Sequence, residues 1–395
     1  MKPLPGHAVL AKIRHVLVTH IDAQVDYWSR ERLALLTLGV IRAHSAAPAR
    51  MATALHNLGV TLGTAESIER RIRRSENDPQ LTAELCVHPL ARHYLLFGQP
   101  QELILALDPT TQDERVVMVK VAVCYRGQSL PLVWTTWPAE VPLQGDRFWV
   151  RIAGLILQAA ALLPPGVPVT WLADRAFGTP AFIDLVSRPG WHYVVRVQRG
   201  TLYRDRRGRE RAVDTLVPYR GSRGKGHGLL FKKRGWRSAS VVALWGQRYK
   251  DPLCVVTNLR PRWAVRRLYR RRYGIEALFR NYKTHGWQWE QGQVTDLVHV
   301  ERLLVAMAVA AWLAVLVGTQ VAHELLARPA TGHRYTTPWV GKRSLFTLGL
   351  AGWARMLSGR EPCELPDTLV DWEARSWQTQ ITQHHAWAFI FGPHP

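Results

Sequence analysis

The sequence predicts an α/β protein built on a mixed five-stranded sheet flanked by helices, and two observations support this fold class. Five short segments rich in apolar and β-branched residues lie between residues 102 and 197, and two segments of helical character separate the last three. The resulting order (three strands, a helix, a strand, a helix and a strand) is typical of a mixed sheet with helices on its faces. With 395 residues, 47% of them hydrophobic, the chain is long enough for one large core with appended units.

Residues 1–100 are predicted to form a helical region in front of the sheet. Ser29 is a candidate N-cap for one helix, and Thr64 or Ser67 would begin another that carries a cluster of arginines. A group of short helices with one basic helix fits either a DNA-binding unit or a small structural bundle, and the charge of the chain favours DNA contact.

The sheet region can be assigned in chain order. The second and third predicted strands flank residues 125–128 (Tyr-Arg-Gly-Gln), which are typical of a hairpin turn. The predicted strands are residues 102–108, 115–124, 129–135, 167–173 and 191–197, and the predicted helices between them are residues 147–163 and 180–186.

Residues 199–251 interrupt this pattern with a segment rich in Arg, Lys and Gly. One strand is predicted inside it at residues 238–244, and it also contains Trp236 and Trp245. A further strand is predicted at residues 252–258. We interpret the segment as a basic, β-rich insertion.

Composition limits the classes of partner and compartment. The chain has 52 Lys and Arg against 30 Asp and Glu, a formal net charge of +22, which favours a polyanionic partner, either nucleic acid or an anionic membrane surface. Four cysteines lie far apart without a CxxC pair, so we expect neither a disulfide framework nor a zinc ribbon. No export signal is visible, and the apolar residues 303–318 are too few for a membrane span, so a buried core helix and a cytoplasmic protein are expected.

Residues 269–283 (YRRRYGIEALFRNYK) contain no Pro and are predicted to form one helix. At about 100° per residue, Tyr269, Arg272, Glu276 and Lys283 would share one face. The simpler interpretation is a solvated helix with an ordinary ion pair between residues four positions apart.

Two aspartates, Asp108 and Asp174, follow apolar predicted strands at their carboxyl ends, where open α/β sheets place functional residues. If these strands are neighbours, the two carboxylates lie close together, and Glu276 on its helix would complete a cluster of three. Such hard oxygen ligands suit two Mg²⁺ ions about 3.5–4 Å apart, as in phosphodiester chemistry. Taken singly, each Asp could instead cap a turn or a helix.

The spacing Y-x2-R-x3-E-x6-K within residues 269–283 resembles the signature of the DDE transposases of bacterial insertion sequences, of the insertion-sequence-four type. The segments LALDPT around Asp108 and LADRAFG around Asp174 resemble the first and second acidic motifs of that family. The resemblance covers roughly residues 100–320.

The resemblance implies an RNase H-like catalytic core over residues 101–320, interrupted by the β-rich insertion at residues 199–251. The N-terminal helical domain, residues 1–100, would bind DNA, and residues 321–395 would form a C-terminal helical region. It further implies Mg²⁺-dependent cut-and-paste transposition, in which water attacks at the element ends and the freed 3′-hydroxyls attack target DNA.

The resemblance also assigns roles to single residues. The metal ligands, for two Mg²⁺ with Mn²⁺ as a substitute, would be Asp108, Asp174 and Glu276. The candidate DNA-binding residues are Tyr269, Arg272, Lys283, Arg175 and Arg280. The partners would be double-stranded DNA, as terminal inverted repeats and as target, and a second copy of the chain in a homodimer. Trp236 or Trp245 could stack on a flipped base, with core packing as the alternative.

Three rival functions remain open at this point. The chain could be an RNase H-like nuclease that cleaves without strand transfer, or a catalytically silent relative that only binds DNA. The net charge also leaves open a protein of the membrane surface, although no spanning segment is expected.

Overall fold

The computed structural model describes residues 5–98, 100–327, 343–361, 365, 366 and 369. The strands are β1 Leu103–Gln112, β2 Val116–Tyr125, β3 Gln128–Pro138, β4 Val169–Ala173, β5 His192–Arg196, β6 Leu202–Asp205, β7 Glu210–Ala212, β8 Arg223–Leu230, β9 Arg237–Leu244 and β10 Leu253–Thr257. The helices are α1 Pro5–His20, α2 Tyr27–Ala43, α3 Pro48–Asn57, α4 Ala65–Ser75, α5 His88–Phe97, α6 Gly145–Leu162, α7 Pro180–Ser187, α8 Ala264–Arg270, α9 Tyr273–Arg280, α10 Leu297–Ala327 and α11 Leu345–Leu357.

One mixed sheet organises the described part of the chain. Its strand order is β3-β2-β1-β4-β5-β10-β9-β8-β6-β7. β1 pairs antiparallel with β2 and parallel with β4, and β4 pairs parallel with β5. All five strands predicted before residue 199 are present, and they occupy one half of the sheet.

The prediction of a five-stranded sheet is wrong, because the sheet of the described residues has ten strands. β10 pairs antiparallel with β5 and on its other side with β9, so the strands of the insertion continue the same sheet. A pairing partner on the outer side of β5 satisfies backbone groups that an edge strand would leave exposed. Local sequence patterns do not reveal this long-range pairing.

The first strand is longer than predicted. β1 continues past Asp108 through Pro109 to Gln112, because β2 pairs with it along this whole length. Its parallel pairing with β4 ends at Leu107, so Pro109 occupies an edge position on that side, where proline is tolerated. Asp108 therefore lies at the end of the parallel pairing and not at the end of the strand.

The residues before the sheet are helical, as predicted, but one predicted cap is wrong. Asp26 caps α2 by accepting a hydrogen bond from the Ser29 backbone N–H at 2.7 Å, and the Ser29 hydroxyl donates to the buried Asp78 at 2.8 Å. Ser29 therefore lies inside the first turn. Thr64 is the N-cap of α4, as expected, and accepts from the Ser67 N–H at 3.3 Å.

The long helix α10 lies in the core and contacts β3, α2 and α11. Residues Leu297–Glu324 are long and apolar enough to cross a membrane by length and composition alone, but 89% of the most apolar window is buried inside the protein. This agrees with the core helix predicted from residues 303–318. Most of the predicted C-terminal region, including Cys363, lies outside the described residues, and α11 is its described helix.

The single helix predicted over residues 269–283 is divided in the structure. α8 ends at Arg270, α9 begins at Tyr273, and a π-helical turn follows at Asn281–His285. Between α8 and α9 the backbone hydrogen bonds connect residues three positions apart, as in a 3₁₀ turn. The Arg272 N–H, for example, donates to the Tyr269 carbonyl at 3.0 Å. The break turns α9 onto the hairpin of β2 and β3, whereas α8 covers β5.

Candidate active site

The two aspartates predicted to meet stand level on adjacent parallel strands. Leu107 of β1 is the register partner of Ala173 of β4, so Asp108 and Asp174 follow at the same level. Asp108 is buried, whereas Asp174 begins the turn after β4 and is half-buried. The expectation that these strands are neighbours is confirmed.

Glu276 reaches the same place on α9, and Arg272 connects it to Asp108. One guanidinium nitrogen of Arg272, Nη1, donates to Asp108 Oδ2 at 3.0 Å. The other, Nη2, donates to Glu276 Oε1. The Arg272 and Asp108 side chains are only 10% and 13% exposed, so their ion pair is shielded from water, whereas Glu276 is partly exposed.

The electrostatics of the site follow from burial and from the crowding of acids. The pKa of Asp108 is raised to about 6, chiefly by burial; the carboxylates of Asp174 and Glu276 act in the same direction, and the positive charge of Arg272 opposes them. Burial alone would lower the pKa of Arg272, but the neighbouring Tyr269 and the three carboxylates raise it overall. Asp174 and Glu276 therefore both lie near enough to Asp108 to act on its charge.

Arg196 is a site residue that the sequence analysis missed. Val195 of β5 is the register partner of Ala173, so Arg196 is level with Asp174, and its Nη1 lies 3.9 Å from Asp174 Oδ1. The sequence offered one indication of this role: Arg196 lies at the carboxyl end of a predicted strand, next to the predicted strand that precedes Asp174.

Lys120 was also missed. It is the register partner of Asp108 on β2 and is completely buried, with Nζ 4.0 Å from the ring centroid of Tyr282 and 5.0 Å from that of Trp134. Burial lowers its pKa to about 7, although Glu301 acts in the opposite direction. A lone lysine in an apolar predicted strand was the only sequence signal.

The prediction that four side chains share one helix face is wrong, because the helix is broken. Tyr269 is buried in an apolar cluster on the sheet face under α8, with its ring centroid 5.8 Å from Arg272 Cζ. Lys283 lies in the π-helical turn and pairs with Glu290 at 2.9 Å. The roles of Tyr269, Arg272 and Lys283 in DNA binding stay predictions.

The remaining predicted contact residues lie in different surroundings. Arg175 and Arg280 are exposed. Trp236 and Trp245 are half-buried: the first lies under Arg204, with Cζ 4.3 Å from its ring, and the second donates its Nε1–H to the Tyr249 carbonyl at 3.0 Å. Stacking of either ring on a base stays a prediction.

The donor set suits a hard divalent cation, but its present arrangement is held by an arginine. Three carboxylates are the ligand type that such ions prefer, and Asp174 Oδ1 is buried with no hydrogen-bond partner in the part of the chain described. Among these residues, however, no three His, Cys, Asp or Glu side chains are grouped as a ready-made metal site. Arg272 instead binds one oxygen each of Asp108 and Glu276.

A family model matches a part of the chain that contains two acids of this site. Residues 151–313 match the family model described as Transposase DDE domain. This segment includes Asp174 and Glu276, whereas Asp108 lies before it. No curated protein matches the chain.

Proposed function

We propose that the chain is a DNA transposase of the insertion-sequence-four type, and the match of residues 151–313 to the family model described as Transposase DDE domain supports this proposal. It would bind the terminal inverted repeats of its own element, cleave the ends and join the 3′-hydroxyls to target DNA. The observation that carries this proposal is the convergence of Asp108, Asp174 and Glu276 at one edge of the sheet. The first five strands would be an RNase H-like core, with residues 199–251 as its insertion.

The three acids would hold the catalytic cations. Bound Mg²⁺ or Mn²⁺ would activate the attacking oxygen and stabilise the leaving one at the phosphodiester. Arg196 and Arg175 stand beside Asp174 and offer forked donors to the phosphate. The burial of Asp108 keeps bulk water away from one side of the site.

DNA would approach from the exposed side of this edge. The net charge of +22 favours a polyanion, and arginines on α8 and α9, with Arg280 among them, face solvent. The helices of residues 1–100 would bind the element ends, and two copies of the chain would hold two ends together. We place this activity in the bacterial cytoplasm at the nucleoid.

Cleavage and joining can be tested with an oligonucleotide that carries an element end, plasmid DNA and Mg²⁺. We expect a joined product from the wild type and none from Glu276→Gln, because an amide has no charge to hold the cation. Glu102→Gln is the matched control: Glu102 is an exposed acid paired with Arg271 at 3.2 Å, and its loss should leave joining intact.

The rival functions give different products. Nicked plasmid without joined product would mean a nuclease without strand transfer. Tight DNA binding without cleavage would mean a catalytically silent relative. Joining by Glu276→Gln at the wild-type rate would remove this residue from catalysis.

A further inference from the structure

The guanidinium of Arg272 sits between two of the three acids of the site. It forms ion pairs with Asp108 and Glu276, whose side chains are 13% and 39% exposed. A buried charge is stable only when it is paired, so Arg272 supplies the positive charge that these carboxylates need in the absence of another cation.

Both ion pairs use oxygens that a divalent cation would need. Asp108 Oδ2 and Glu276 Oε1 accept from Arg272, while Asp174 Oδ1 lies 3.9 Å from Arg196 and accepts no hydrogen bond within the described ranges. A cation bound between Asp108 and Glu276 would also be repelled by the guanidinium at short range. Arginine and cation therefore compete for one position.

We propose that Arg272 is a positioning residue that occupies the cation position of the DNA-free site, and that divalent cations bind fully only when its guanidinium moves onto a DNA phosphate. The inference rests on the proposed function, because it needs both a cation and DNA at this edge. It adds an order of events: DNA contact prepares the metal site.

The surroundings of Arg272 allow such an exchange. The residue lies in the break between α8 and α9. The aromatic rings of Tyr269 and Tyr273 lie near its guanidinium, with ring centroids 5.8 and 5.9 Å from Arg272 Cζ. Tyr269 is buried and Tyr273 is 48% exposed, so the Tyr273 side leads to solvent. Phosphate offers the same forked hydrogen bonds as a carboxylate.

Mn²⁺ binding to the full chain, measured by calorimetry without DNA, tests the competition. We expect Arg272→Gln to bind Mn²⁺ at least about tenfold more tightly than the wild type. Arg271→Gln is the matched control: it removes a charge from the adjacent, exposed residue that pairs with Glu102, and its affinity should equal that of the wild type. If Arg272→Gln fails to fold, Arg272→Lys is the alternative. Lysine has one ammonium nitrogen in place of the two guanidinium nitrogens that bind Asp108 and Glu276, so this variant should bind Mn²⁺ more tightly than the wild type.

A second titration with a mixed-sequence DNA duplex tests the coupling to DNA. The duplex should strengthen Mn²⁺ binding by the wild type and change it little in Arg272→Gln, because Arg272 is the residue that couples DNA binding to cation binding in this proposal. Equal Mn²⁺ affinity of Arg272→Gln and the wild type without DNA would overturn the proposal.

The failure of this inference is distinguishable from failure of the proposed function. Asp174→Asn should abolish Mn²⁺ binding whether or not Arg272 competes. If the DNA-bound wild type binds Mn²⁺ through Asp174 but Arg272→Gln changes nothing, only the competition is wrong. If the DNA-bound wild type binds no Mn²⁺, the metal chemistry fails, and the inference fails with it.

Discussion

The carboxyl group of Asp108 illustrates how the site is built at the scale of single residues. The strand register places it beside Asp174, and the surrounding residues bury it away from water. One of its oxygens, Oδ2, accepts a hydrogen bond from Arg272. Each of these contacts comes from a different element, and each changes the free energy of its charge. Burial and the neighbouring acids act against the charge, and the guanidinium acts for it.

The pKa of Asp108 predicts a pH-dependent stability. Because its pKa is about 6 when folded and near 3.9 when unfolded, the folded chain binds more protons between these values, and stability falls as the pH rises through this window. Asp108→Asn removes this dependence. Between pH 4 and pH 7 the unfolding free energy of Asp108→Asn, relative to that of the wild type, should increase by up to about 3 kcal/mol.

Urea unfolding in metal-free buffer with a chelator at both pH values measures this shift. Any constant offset from the loss of a charged hydrogen bond with Arg272 cancels in the comparison. A difference between variant and wild type that stays the same from pH 4 to pH 7 would contradict the raised pKa.

At the scale of elements, the short helix α9 determines where Glu276 lies. Its second residue, Gly274, packs directly on the hairpin between β2 and β3: a Cβ there would lie 2.6 Å from Ser129 Oγ and 2.7 Å from the Gln128 carbonyl oxygen. Only glycine allows this approach without movement. The position of Glu276 thus depends on a missing side chain two residues before it.

Gly274→Ala should therefore destabilise the fold by about 1–3 kcal/mol, because the hairpin or the helix must shift. The same shift would displace Glu276 and reduce cleavage. Thermal unfolding and the joining assay measure the two effects.

Gly154→Ala is the matched control in a helix. Gly154 lies in α6, and an added Cβ there would meet no atom of the described residues within 4 Å. Since alanine is the better helix former, this variant should be more stable by up to about 1 kcal/mol. If the two variants changed stability equally, close packing of α9 on the hairpin would not be the reason.

At the scale of the whole molecule, charge and topology act together. The insertion adds strands to the same sheet as the acid-bearing strands, so the basic residues of its surface are fixed relative to the site. On the N-terminal side, α4 exposes Arg70 and Arg74 one turn apart, whereas Arg73 pairs with Glu69 at 2.7 Å. These arrangements leave several cations of both regions exposed at the surface.

DNA affinity should fall steeply as salt increases, because each phosphate contact releases counterions. The double variant Arg70→Gln with Arg74→Gln should reduce the slope of log affinity against log salt by about 2. Arg73→Gln should reduce it less, since Arg73 is already paired with Glu69. Fluorescence anisotropy over a salt series measures the slopes, and an unchanged slope in the double variant would exclude α4 from the DNA interface.

The sequence by itself determined the five strands before residue 199, the two helices between them and the basic character of the chain, and it singled out Asp108 and Asp174 next to apolar strand segments. These features are local: alternation and periodicity report which side of a segment is buried, and composition reports the charge. The same local patterns indicated Asp108, Asp174 and Glu276 as candidate site residues.

Only the tertiary structure decided that the insertion extends the sheet to ten strands, that the helix of residues 269–283 breaks before Tyr273, and that Arg272 lies between two acids. Strand register likewise brought Arg196 beside Asp174 and Lys120 opposite Asp108. The physical reason is that these features depend on contacts between segments distant in the chain. Backbone pairing at an edge and close packing at a glycine depend on the partner segment, which no local pattern specifies.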